Sequence, residues 1–162
     1  MNSTPENKTD ATPAAQPRLN YRKASPAAVA AMSALQAVVN RSSLEKPLLE
    51  LVKLRASLLN HCAFCIDMHF REARNAGESD ERLYLLSAWA ETSVYSPRER
   101  AALRWTDALT QLAGHPVEDD VFVEARSQFS EEQLCELTLA IVAINGWNRF
   151  SVGFKVPPRF QG

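Results

Sequence analysis

Two cysteines three residues apart, Cys62 and Cys65, are followed one helical turn later by His69 and preceded, twelve residues before the pair, by Glu50. If this stretch is helical, residues at i, i+3, i+4 and i+7 share one face, so two thiols and an imidazole stand on a single stripe. Two chemistries fit that stripe. In a redox site the thiol must ionise below its ordinary ~8.5 before it reacts. A helix N-terminus favours the anion, and His69 can take the thiol proton. Glu50 can fix the imidazole tautomer if its helix packs antiparallel to that of His69, and the second sulfur can condense with a sulfenic acid to a disulfide. In a zinc site Cys62, Cys65 and His69 would be joined by His61 or Glu50. Structural zinc sites usually draw two ligands from a second knuckle or helix, and no second Cys/His cluster exists in the sequence, which favours the redox reading.

These side chains need two helices and a sharp break between them. Leu48, Leu51, Val52, Arg55, Leu58 and Leu59 recur with a period close to 3.6, predicting a helix over Lys46–Leu59 with Glu50 flanking its apolar face. Asn60-His61 breaks it. A second helix is expected from Cys62 to Asn75, stopped by Gly77 as a C-cap. Ser25-Pro26 opens a helix with Val29, Met32, Leu35 and Val39 on one face. Asp80 is expected to cap Glu81–Ala90. Ser96-Pro97-Arg98-Glu99 is a capping box for a helix running to Gly114, and a short helical piece spans Glu118–Ser127. Ser130-Glu131-Glu132-Gln133 opens a long apolar helix to about Val152. No alternating strand pattern of useful length appears, so the expected architecture is all-α, with six to seven helices.

Residues 1–18 are rich in Ser, Thr, Pro, Ala, Asn and Gln and poor in large apolar side chains, the composition of a disordered tail. Residues 19–162 are read as one domain. A formal charge of −1 offers no field for a phosphate backbone, which argues against nucleic acid. No apolar run reaches bilayer length and no secretory pattern opens the chain, so the expected location is cytoplasmic, with no membrane partner. Three cysteines, two of them in a close pair, do not form a secreted disulfide framework. The third, Cys135, lies among Leu134, Leu137 and Ile141 and is expected in the core. His61 reads as a helix-terminus residue. Trp147-Asn148-Arg149 reads as packing near the site or a subunit contact, with Arg149 a candidate for an ion pair.

The block from Glu50 through Cys62-Ala63-Phe64-Cys65 to His69 resembles the core motif of the alkylhydroperoxidase AhpD-like / carboxymuconolactone decarboxylase superfamily. Asn145-Gly146-Trp147-Asn148-Arg149 is similar to a segment near the C-terminus of its single-domain members. The resemblance implies an all-helical thiol peroxidase that reduces hydrogen peroxide or organic hydroperoxides. Cys65 would attack, Cys62 would be the more accessible resolving sulfur, and Glu50 with His69 would relay protons; thioredoxin-type logic, in which the N-terminal cysteine of the pair is the nucleophile, names Cys62 as the attacker instead. Phe64 stands where the best-known peroxidase of the family has a histidine. The resemblance further implies no cofactor and no metal, an external dithiol reductant, and a homo-oligomer, trimer or hexamer. Two other readings are a cofactor-free decarboxylase, which would not need the cysteine pair, and a redox-sensing helical oligomer without turnover.

Overall fold

Most helix starts in this chain are set by side chains that take up the first free amides. The hydroxyls of Ser25, Ser79, Ser96 and Ser130 each accept a backbone N–H from three residues on, and Ser96 and Ser130 complete reciprocal boxes with Glu99 and Gln133. In the structure, a computed structural model that describes residues 16–159, the described residues form eight α-helices and no strand. They are α1 (Tyr21–Ala24), α2 (Pro26–Val39), α3 (Lys46–Leu59), α4 (Ala63–Asn75), α5 (Asp80–Leu85), α6 (Pro97–Thr110), α7 (Asp119–Gln128) and α8 (Glu131–Gly153).

Helix α3 is the axis of the bundle, packed against α4, α6 and α8. Its side chains feed two apolar clusters. Leu48, Leu49 and Val52 join Val39, Ala102, Leu137 and Ile141 on one side; Leu51 and Leu54 join Ala73, Leu83, Leu86 and Leu103 on the other. Full burial of each leucine is worth roughly 1.5–3 kcal/mol, so α3 is the element the bundle can least afford to lose. Its polar residues are therefore paired. Arg55 makes a two-pronged contact with Asp107 of α6 at 2.6 and 2.8 Å, and Trp89 Nε1 donates to the same carboxylate at 3.0 Å.

The expected helix from Glu81 to Ala90 divides in two. Ser79, not Asp80, is the cap, α5 stops at Leu85, and Leu86–Glu91 forms a 3₁₀ segment broken at Ala88. The reason is tertiary. Arg55 donates to the carbonyls of Leu86 and Ser87, and Arg100 to those of Trp89, Ala90 and Thr92, so guanidinium groups replace helical donors there. Helix α6 ends at Thr110 rather than Gly114, which instead supplies a positive φ of 81° in the following turn.

Of the expected tail, residues 1–15 lie outside the described residues, while the Arg18 N–H donates to the Phe154 carbonyl at 2.8 Å. Just after it, α1 is a single turn whose buried Tyr21 rests on Phe150 and Phe154, with ring centroids 5.1 and 5.8 Å away. No described helix is long and apolar enough to cross a membrane.

Candidate active site

The elbow between α3 and α4 presents the cysteines. The His61 N–H donates to the Leu58 carbonyl and the Cys62 N–H to that of Ser57, closing α3 with a double-bonded turn that requires a left-handed residue; His61 takes it, at φ 52°. Histidine is among the side chains enriched there, which explains how the turn forms without glycine. Helix α8 pins the elbow. Asn60 Nδ2 lies 3.0 Å from the side-chain oxygens of both Asn145 and Asn148, and Asn148 donates to Ser57 Oγ at 3.1 Å. The asparagines of the Asn145–Arg149 segment thus hold the loop before Cys62. Arg149 makes no ion pair among the described residues and donates to the carbonyl of Asn145 instead.

Cys62 is the N-cap of α4, its sulfur accepting the Cys65 N–H at 3.3 Å, and the two cysteines are joined as a disulfide with Cα atoms 5.3 Å apart. A cap of this kind favours a thiolate whenever the bond is open. Both cysteines are 1% exposed, so Cys62 is not the more accessible of the two. Cys65, not Cys62, lines a cavity of about 260 Å³ together with Phe64, Met68, His69, Glu72, Lys53, Trp147 and the α1 residues Tyr21 and Arg22. Phe64 sits in this wall with the Arg159 guanidinium 5.9 Å from its ring centre. His61 is exposed and does not line the cavity.

Glu50 and His69, nineteen positions apart, meet: Nδ1 of His69 is 3.2 Å from Glu50 Oε2. Lys53 Nζ holds the other oxygen of Glu50 at 2.8 Å. A second acid, missed in the sequence, completes the group. Glu72 Oε2 lies 2.9 Å from the same Nδ1. Its only signal was its place one turn beyond His69, where an acid is ordinary. Burial alone would push His69 toward the neutral form, but the hydrogen bonds and charges of Glu50 and Glu72 outweigh it and hold its pKa above the usual value. Burial likewise works to raise Glu50, and the contacts from His69 and Lys53 hold it lower. Both carboxylates meet Nδ1, and Nε2 has no hydrogen-bond partner among the described residues.

Glu50, His69 and Glu72 also place possible ligand atoms within 4.8 Å of one another. Cys135, expected in the core, is exposed. Helix α8 buries Leu134, Leu137 and Ile141 on one side and turns Cys135 and Val142 outward, into a second cavity of about 610 Å³ lined by Trp105, Phe122 and Leu139.

Residues 25–108 match the carboxymuconolactone decarboxylase family. The chain is 39% identical over 135 residues to the uncharacterized protein YdfG of Bacillus subtilis (strain 168), covering 83% of this chain and 92% of that one. A crystal structure from Agrobacterium tumefaciens, of a protein of unknown function for which the role of antioxidant defence protein AhpD has been suggested, superposes with a TM-score of 0.88 at 46% identity. The match covers 90% of this chain and 100% of that one. An uncharacterized peroxidase-related protein from Ralstonia eutropha JMP134, described as an alkylhydroperoxidase AhpD core, shares the fold at a TM-score of 0.76 and 20% identity, over 88% and 77% of the two chains.

Proposed function

We propose that this chain, which belongs to the carboxymuconolactone decarboxylase family, is a thiol-dependent peroxidase of the AhpD type that reduces hydrogen peroxide or organic hydroperoxides. One observation carries the reading: a closed Cys62–Cys65 disulfide whose Cys65 end shares a cavity with an imidazole held by Glu50. The suggested antioxidant role of the Agrobacterium protein supports it.

In the reduced protein His69 takes the Cys65 thiol proton. The thiolate attacks one peroxide oxygen, the S–O bond forming as the O–O bond breaks, and the departing alkoxide leaves as alcohol with the proton returned by His69. The Cys62 thiol then displaces hydroxide from the Cys65 sulfenic acid; its hydrogen departs with that hydroxide as water, and the disulfide closes. An external dithiol supplies two electrons and two hydrogens to reopen it. No haem, flavin or metal takes part, and the homo-oligomeric state and cytoplasmic location belong to the same proposal.

The test is intact mass before and after one equivalent of peroxide added to the reduced protein, with metal analysis alongside. A loss of two hydrogens located to the Cys62–Cys65 peptide supports the peroxidase. Failure of peroxide to close the bond, or stoichiometric zinc on the reduced protein, overturns it.

A further inference from the structure

The relay has one member beyond the pair that the chemistry requires. Glu50 is anchored at both ends, one oxygen on Lys53 and the other on His69, and its side chain is only 16% exposed. Glu72 differs on each count. Its carboxylate is as close to Nδ1, at 2.9 Å, yet has no cationic partner other than His69 among the described residues, and its side chain is 50% exposed. His69 is 7% exposed. A buried imidazole therefore touches solvent-facing acid through a single hydrogen bond.

We propose that Glu72 is a positioning residue that shares the Nδ1 hydrogen of His69 with Glu50 and passes protons between the buried imidazole and bulk water. The inference rests on the dithiol–disulfide cycle proposed above and adds a route by which that cycle exchanges protons with solvent. Reduction of the disulfide shows the need. A dithiol sulfur must shed its hydrogen before it bonds to one protein sulfur, and the protein sulfur it displaces must gain one. When Nε2 of His69 accepts the hydrogen shed in the cavity, the Nδ1 hydrogen moves to Glu72 and from there to water; the reverse path returns a proton to the displaced sulfur. No electrons move in this exchange, and the two hydrogens of the dithiol end on Cys62 and Cys65. Glu50 is the poorer exit, because Lys53 holds its second oxygen and its side chain is 16% exposed against 50% for Glu72. The charged and titratable groups that contact His69 or line its cavity are Glu50 and Lys53 on α3, Glu72 and Cys65 on α4 and Tyr21 and Arg22 on α1; α2 with its C-cap and α8 contribute only the uncharged Gln36, Asn40, Trp147 and Ser151.

The experiment follows reduction of the disulfide by dithiothreitol, which needs no peroxide, so its result stands whether or not peroxide turnover is found. Glu72→Ala is expected to slow reduction about ten-fold, a share of the ~10²–10⁴-fold typical of positioned proton transfer. Added formate is expected to restore the rate in Glu72→Ala but leave the wild-type rate unchanged. Glu72→Asp is expected to keep most of the rate, while Glu72→Gln shifts the pH dependence of reduction toward lower pH because His69 loses one carboxylate. Wild-type rate and pH profile in Glu72→Ala, or slow reduction that formate does not rescue, would overturn the proposal.

Discussion

Cys65 and Cys135 each look from a helix into a cavity, and the two surroundings differ in kind. Around Cys65 the wall carries His69, Glu72, Lys53 and Arg22, and a second sulfur is already bonded to it. Around Cys135 the wall is Trp105, Phe122, Leu134, Leu139 and Val142, and its two charged members, Arg126 and Glu131, answer each other at 3.4 Å. The more exposed thiol is the one without an acid–base companion. On the proposed mechanism exposure is not what marks the reactive sulfur; a histidine one turn away and a partner sulfur are, because a thiol reacts through its thiolate and needs somewhere to send the proton.

The hardest blow to that contrast is removal of the sulfurs. Cys65→Ser and Cys62→Ser are each expected to reduce peroxide-dependent dithiol consumption to background, and Cys135→Ser to leave it at the wild-type level. Full turnover by the Cys62/Cys65 double variant would refute the mechanism. Peroxide-independent conversion of a lactone carboxylate by that variant would move the assignment to the decarboxylase activity in the family's name.

A smaller effect is expected at Glu50. Glu50→Gln keeps the shape of the relay but withdraws the charge that holds the imidazole, and turnover should fall roughly 10²-fold, the lower end of what positioned proton transfer contributes. Unchanged steady-state rates in this variant would show that the helix N-terminus alone activates Cys65.

How much of this could be read beforehand depends on whether an interaction is local. The span of α3 followed from its apolar period, and the serine caps of α2, α6 and α8 were each legible within four residues. The Glu50–His69 contact crosses two helices and could be expected only on condition that they pack antiparallel, with the resemblance as its support; Asp107, which holds Arg55 from 52 positions away, had no local signal. The break after Leu85 was hidden for the same reason, since Arg55 and Arg100 impose it from other helices. Cys135 was misplaced because α8 is apolar on more than one side: Val142, half exposed, repeats the pattern of Ile141, which is buried.

The pH dependence of stability separates the two regions again. His69 is held above its unfolded value, so its stabilisation is complete below ~6.5 and fades as pH rises through the higher folded value. Glu50 is held below its unfolded value, so its contribution is present above ~4.3 and fades as pH falls through the lower folded value. The thermal midpoint should thus be highest in mildly acid solution and decline on the alkaline side. His69→Asn should flatten that decline and Cys135→Ser should not. A decline that survives His69→Asn would place the titrating group elsewhere.

The gentlest manipulation builds the missing companion at the second cysteine. Residue 139 lies one turn beyond Cys135 on α8, as His69 does beyond Cys65 on α4, and Leu139 is only partly buried, so Leu139→His costs some apolar contact without opening the core. If an imidazole at i+4 is what separates the two thiols, alkylation of Cys135 by iodoacetamide should accelerate a few-fold near neutral pH, where histidine titrates. Peroxide turnover should not appear in a Cys62/Cys65-deficient background, because among the described residues no second cysteine lines the cavity of Cys135 to resolve a sulfenic acid. Faster alkylation without turnover would divide the work of the natural site between its two parts, the imidazole making the thiol reactive and the paired sulfur making the reaction repeat. No change in alkylation would mean that the position of Cys65 at the start of α4, which Cys135 in the second turn of α8 does not share, supplies the activation instead.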